Sequence, residues 1–168
     1  MASIPRGWIL PAIVAAILLA AAPGAIYRII QTGDPYLFTE RFFQDMVARL
    51  SGPGRLRFIL QPTMAILLGT RDGLRDGRAG LPPFVWGLVF HSQHRSGLFR
   101  SAIASVRNLV AIAILLDIIS QFVIFRQLHP GAAVLLGPVL IALPYATSRA
   151  LSNRITRPRS ARAVTPGN

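Results

Sequence analysis

Residues 8–30 read WILPAIVAAILLAAAPGAIYRII, and Arg28 is the single charged side chain among them. A helix of about 20 apolar residues covers the hydrocarbon core of a bilayer. The stretch therefore predicts a first transmembrane helix. A cleaved signal peptide is the alternative interpretation, because Arg6 precedes the apolar run and the alanine-rich end of the run resembles a cleavage site. The length of the run and the position of Pro23 just after that site favour the transmembrane helix.

The composition of the chain points to a membrane protein. Of its 168 residues, 52% are hydrophobic and 14% are charged, whereas soluble domains carry about 25% charged residues. The chain contains no cysteine, which excludes disulfides, thiolate metal sites and cysteine nucleophiles. Its 18 basic residues are all arginine, which also excludes lysine chemistry such as Schiff-base formation.

Two further apolar stretches, residues 102–125 and 130–151, predict a second and a third transmembrane helix. Only a few residues separate them, so we expect a tight antiparallel hairpin. The sequence thus predicts an all-α integral membrane protein with a single membrane domain over residues 1–151. Residues 152–168 are rich in Arg, Pro, Ser and Thr and predict a basic, disordered tail.

The distribution of arginines predicts the orientation of the chain. Five arginines lie at or after the end of the third span without an acidic residue among them: Arg149, Arg154, Arg157, Arg159 and Arg162. The positive-inside rule places this end in the cytoplasm. With three spans, residues 31–101 are then also cytoplasmic and the amino terminus lies outside. If a segment between the first two spans also crossed, the count would become four and the amino terminus would lie inside.

Residues 35–50 predict an amphipathic helix, with Asp34 and Pro35 at its start. Charged side chains, including Arg49, fill one side. The other side is apolar and consists of Phe38, Phe42, Phe43, Met46 and Leu50. Such a helix beside a span is typical of the membrane interface, so we predict an interfacial helix.

Residues 57–69 and 81–91 are apolar nearly all round. A dozen helical residues reach only about 18 Å, which is too short to cross a bilayer. We therefore predict one or two interfacial or re-entrant helices between spans one and two. The run from Arg57 to Gly73, followed by Pro82 and Pro83, resembles short bacterial membrane proteins. The resemblance implies no activity.

An intramembrane polar site is predicted at Asp117, Ser120 and Gln121, because an acidic side chain near the bilayer midplane costs several kcal/mol unless it is paired or neutralised. One interpretation is a proton or ion site. The other is a hydrogen bond that joins helices or subunits, and we favour it because neither the first nor the third span offers a cation at that depth. On this interpretation, Asn should substitute well for Asp117.

Residues 71–78 read RDGLRDGR and predict a solvated ladder of salt bridges at the headgroup level. Asp72 and Asp76 also suggest an alternative interpretation, a lipid-handling enzyme, since paired aspartates can hold Mg²⁺ on a phosphate. The sequence does not match the motif of CDP-alcohol phosphotransferases. That motif has further aspartates downstream, and after Asp76 none occurs here before Asp117. The predicted headgroup or lipid contacts are Arg71, Arg75, Arg149 and Arg154.

No cofactor, metal site or nucleic-acid module is predicted. His91 and His94 have the spacing of a metal-ligand pair, but no third ligand is near them in sequence. The sequence pI of about 11.9 comes from arginines beside the spans, where anionic lipids are the nearest partners.

The sequence predicts a non-enzymatic protein of the bacterial inner membrane that acts by contact, as an accessory or assembly subunit of a larger membrane complex. Other membrane subunits or further copies of the chain are the expected partners. The alternative is an oligomeric transporter or ion-conducting component in which Asp117 titrates.

Overall fold

A computed structural model describes residues 5–33, 35–52 and 54–156 of the chain, and within them every regular element is helical. A short 3-10 turn, Arg6–Trp8, precedes six helices. They are α1 Ile9–Thr32, α2 Glu40–Ser51, α3 Arg57–Arg78, α4 Phe84–Phe90, α5 Ser92–Phe125 and α6 Pro130–Thr156.

Three of the helices are long and apolar enough to cross a membrane: α1 together with its 3-10 turn, α5 and α6. The predicted all-α class is therefore confirmed, and the three long apolar helices support a multi-pass membrane protein. The boundaries differ from the prediction, because α5 begins ten residues earlier and α6 continues to Thr156. The predicted tail thus begins inside a helix, and residues 157–168 lie outside the described residues.

The helices between α1 and α5 also differ from their predicted extents. Thr39 caps α2 by accepting a hydrogen bond from the backbone N–H of Phe42, so the helix begins five residues later than predicted. Asp34, the predicted start signal, lies outside the described residues. Helix α3 continues through the RDGLRDGR repeat and measures about 33 Å at 1.5 Å per residue. The short apolar segment predicted over residues 57–69 is therefore only the first part of a longer helix.

Contacts within the chain divide it into two compact units. Unit 1 contains the described residues within 1–62 and 106–141, and unit 2 contains those within 63–105 and 142–168. Helices α3, α5 and α6 contribute residues to both units.

Within unit 1, α1 and α5 run in the same direction. The Arg107 guanidinium lies 5.1 Å from the ring centre of Trp8 at the start of α1. Near the end of α1, Arg28 donates a hydrogen bond to the backbone carbonyl of Leu128, just after α5. Between these points Val14 is buried in a core cluster with α5 residues. The predicted path, in which the first two spans run in opposite directions, is therefore wrong.

The predicted apolar side of α2 is divided in the structure. Phe42 is buried in a cluster with Ala132 and Leu136 of α6, and Met46 packs against that cluster. Three other members of the predicted face, Phe38, Phe43 and Leu50, are exposed. Arg49, which was predicted on the polar side, is buried. The helix therefore turns part of its aromatic face, together with one charge, towards the core of unit 1.

Candidate functional site: two buried charge clusters

The first cluster lies in unit 1 around Asp117, which is 1% exposed. Its Oδ1 atom lies 2.6 Å from Nη2 of Arg57 and 3.9 Å from Nη1 of Arg49. Gln121 donates a 2.6 Å hydrogen bond to Oδ2. We call these four residues the Asp117 cluster. The acid predicted to lack a cation therefore has two, and both come from the segment between the spans.

Helix α5 presents Asp117 and Gln121 on one face because they are four residues apart. Gln121 also accepts a 2.7 Å hydrogen bond from the backbone N–H of His129 through Oε1. Its side chain thus connects the acid to the loop of the α5–α6 hairpin. Ser120, the third predicted member of the site, is buried beside Gly54, where a Cβ would lie 2.9 Å from its Oγ. Gly54 also has φ +92°, so glycine suits this turn for two reasons.

Arg49 has a second polar contact on the side away from Asp117. Its Nη2 donates a 3.2 Å hydrogen bond to the Tyr36 hydroxyl, which in turn donates a 2.6 Å bond to Asp45. Burial and the bond to Asp45 raise the pKa of Tyr36, so its hydroxyl stays protonated at neutral pH. Two carboxylates, Asp117 and Asp45, therefore face the two arginines. Asp45 does so through the Tyr36 hydroxyl.

His129 stacks on Tyr36, with ring centroids 3.6 Å apart. Burial lowers the pKa of His129 to about 4, and the nearby positive charges of Arg28 and Arg41 add to this effect. The ring is therefore neutral at pH 7. His129 therefore adds no further positive charge beside Arg49 at pH 7.

Hydrogen bonding in the Asp117 cluster is incomplete. Buried N–H groups of Arg49 and Arg57 have no hydrogen-bond partner in the described residues, and neither polar atom of the buried Gln61 has one. Charge pairing with Asp117 is therefore the main compensation for two arginines that are removed from solvent. Losing that one carboxylate should affect both of them.

The second cluster lies in unit 2 around Arg149, which is 1% exposed. Its Nε donates a 2.7 Å hydrogen bond to Asp76, Nη1 a 2.8 Å bond to the Tyr145 hydroxyl, and Nη2 a 2.8 Å bond to Ser101. The guanidinium also lies 4.5 Å from the ring centre of Phe84. We call these five residues the Arg149 cluster. The predicted headgroup contact of Arg149 is wrong, because its guanidinium is committed inside the protein.

The RDGLRDGR repeat turns its aspartates towards α6. Asp76 pairs with Arg149, and Asp72 accepts a 2.7 Å hydrogen bond from the Tyr145 hydroxyl. A Cβ at Gly73 would lie 2.3 Å from the backbone oxygen of Arg149. The glycine therefore permits a close helix approach, and the aspartates supply the polar contacts. The predicted solvated salt-bridge ladder is wrong for both aspartates.

The remaining predicted residues do not join these clusters. Arg71, Arg75 and Arg154 are exposed. His91 follows α4 and His94 lies in α5, with ring centroids 6.5 Å apart. No group of three or more potential ligands is placed for a metal ion in residues 5–33, 35–52 and 54–156.

Several cluster residues were missed from the sequence. Arg49 and Arg57 border apolar segments and look like interfacial charges. Tyr145 and Arg149 carried a usable signal, since they lie four residues apart on one helix. Asn153, which is fully buried but belongs to neither cluster, donates a 3.1 Å hydrogen bond to the Leu81 carbonyl and had no such signal.

In both clusters the central charged group already has partners from the same chain. In the Asp117 cluster the acid is matched by cations from the same chain, and in the Arg149 cluster one guanidinium has a partner on each of its three nitrogens. Both arrangements suit the joining of helices inside a bilayer. No protein-family model, curated protein or solved structure matches the chain.

Proposed function

We propose that the chain is a non-enzymatic protein of the bacterial inner membrane that acts by contact, as an accessory or assembly subunit of a larger membrane complex. The observation that carries the proposal is the 2.6 Å ion pair between Arg57 and Asp117. An acid that is matched inside its own chain serves as a structural contact.

The transporter alternative needs Asp117 to exchange a proton or a cation during each cycle. A guanidinium lies 2.6 Å from one oxygen of the carboxylate, and Gln121 occupies the other oxygen. Exchange at Asp117 would require both contacts to break inside a buried cluster. This geometry favours the contact function.

Helix α1 supports the same proposal. In its most apolar 18-residue stretch, only 6% of the residues are buried by the rest of the chain. The corresponding share is 33% in α5 and 33% in α6. Val14 is its one fully buried side chain, whereas Ile13 and Leu19 are exposed. We propose that a transmembrane helix of a partner membrane protein covers this exposed side.

Purification from native membranes in a mild detergent, followed by mass spectrometry, tests the contact function. We expect stoichiometric recovery with another membrane protein. Ala16→Trp, on the exposed side of α1, should reduce that recovery without changing the melting temperature of the purified chain. Val14→Ala is the matched control on the buried side, where we expect lower stability but unchanged recovery per folded chain. Recovery of the chain alone, or only as a homo-oligomer, would contradict the proposal.

We further propose that both termini are cytoplasmic. Because α1 and α5 run in the same direction in unit 1, the chain between them has to cross the membrane once more. Helix α3 is long enough to contribute to that crossing. At the carboxyl-terminal end the arrangement agrees with the positive-inside rule, since Arg157, Arg159 and Arg162 follow α6 in the sequence.

Cysteine labelling tests this orientation without background, because the chain has no cysteine of its own. Gln127→Cys, in the exposed hairpin loop, should react with a membrane-impermeant maleimide added to intact spheroplasts. Ser96→Cys, an exposed residue near the start of α5, should react only after the membrane is opened. The opposite pattern, or equal labelling of both, would show the proposed orientation to be wrong.

A further inference from the structure

Unit 2 contains two neighbouring cavities, of about 530 and 680 Å³. They share a wall formed by Asp72, Arg75 and Ser105. The first cavity extends to Gln93 and His94, and the Arg149 cluster forms part of its lining. The second follows the side of α3 and contains two further arginines.

The net unpaired charge around these cavities is positive. Asp76 is paired with Arg149, whereas Asp72 accepts a hydrogen bond from the uncharged Tyr145 hydroxyl and keeps its negative charge. Three arginines of α3 are exposed and form no ion pair within the described part of the chain: Arg71, Arg75 and Arg78. We call these three residues the arginine groove. Three positive charges against the single negative charge of Asp72 leave a net positive charge, which favours an anion.

The chemistry of the groove favours a phosphate. Guanidinium groups present planar pairs of N–H donors that match phosphate oxygens. Leu67 and Leu74 line the same cavity as the arginines and offer an apolar surface beside them. A ligand with a phosphate next to hydrocarbon would satisfy both kinds of lining.

The position of the groove along the chain favours a lipid as the source of that phosphate. Its arginines occupy the polar last turns of α3, directly after the apolar run of that helix. Polar residues that follow an apolar run lie at the headgroup level of a bilayer. Gln93 and His94 then lie where a polar headgroup would need hydrogen-bond partners.

We propose that the arginine groove is a specific binding site for the phosphate of an anionic phospholipid headgroup, with Gln93 and His94 contacting the polar remainder of that headgroup. The site does not depend on the proposed contact function, because it requires no protein partner. Saturable binding at this groove would differ from the general attraction that any surface arginine has for anionic lipid.

The test uses the purified full-length chain in detergent and measures its thermal stability during titration with short-chain phosphatidylglycerol. We expect a saturable increase in melting temperature. The double variant Arg71→Gln with Arg75→Gln should weaken the apparent affinity at least tenfold. Both side chains are exposed and unpaired, so the double variant should melt like the wild type when no lipid is present.

Arg100→Gln is the matched control, because Arg100 is an exposed arginine of the same unit that lines neither cavity. We expect its affinity to stay within twofold of the wild type. Inorganic phosphate separates the two sources of the ligand, and it should give no saturable increase at the same concentrations. Equal stabilisation by inorganic phosphate would overturn the lipid assignment. Equal weakening by Arg100→Gln would overturn the site itself.

Discussion

Asp117→Asn is expected to be the most damaging single substitution in unit 1. It removes the carboxylate that faces Arg57 at 2.6 Å and Arg49 at 3.9 Å, and it leaves two buried guanidinium groups without an anion. Removing one partner of a buried ion pair destabilises a protein by about 3–5 kcal/mol. Thermal unfolding of the purified protein in detergent measures the loss. The sequence-based expectation that Asn would substitute well is therefore reversed by the structure.

Arg57→Gln should cost less than Asp117→Asn, because Arg49 still lies near the carboxylate after the substitution. Ser120→Ala is the control, since Ser120 is a buried neighbour on the same helix whose side chain is outside the ion pair. We expect its melting temperature to stay near that of the wild type. An Asp117→Asn variant that melts like Ser120→Ala would contradict the structural role of the acid.

Arg149→Lys is expected to destabilise unit 2 almost as much as Arg149→Met. The guanidinium uses three nitrogens to bond Asp76, Tyr145 and Ser101, whereas a lysine ammonium cannot reproduce that planar geometry. We expect a loss of about 3–5 kcal/mol for Arg149→Met, because it leaves Asp76 without its buried cation. The same unfolding measurement in detergent tests this.

Arg154→Gln is the matched control for Arg149, because Arg154 lies on the same helix and is exposed. Its substitution should change stability by less than about 0.5 kcal/mol. If Arg149→Lys melted like Arg154→Gln, the three bonds of Arg149 would contribute little, and the Arg149 cluster would not be a stabilising centre.

The spans were predictable because their signal is local. Length and hydropathy identify α1, α5 and α6 without reference to the rest of the chain. Asp117 and Gln121 were recognised as a pair because their spacing puts them on one helical face.

The partners of Asp117 were not predictable, since pairing between elements leaves no periodic signal in the sequence. Arg49 and Arg57 lie on α2 and α3, and each has the sequence context of an interfacial charge. The direction of α1 was missed for a related reason. The positive-inside rule counts charges on loops and does not tell which helices pack side by side. Contact between α1 and α5 carries that information, and only the folded chain shows it.

We expect the charges of the Asp117 cluster to hold the fold together. The measurement that tests it most directly is complementation of a deletion strain by the double variant Asp117→Asn with Arg57→Gln, scored together with recovery of the complex from the membrane. The double variant removes one charge of each sign, so stability should be higher than in Asp117→Asn alone. We predict that it assembles and complements the deletion. A double variant that assembles like the wild type but fails to complement would contradict this purely structural role, because the charged groups would then be needed for function beyond the fold.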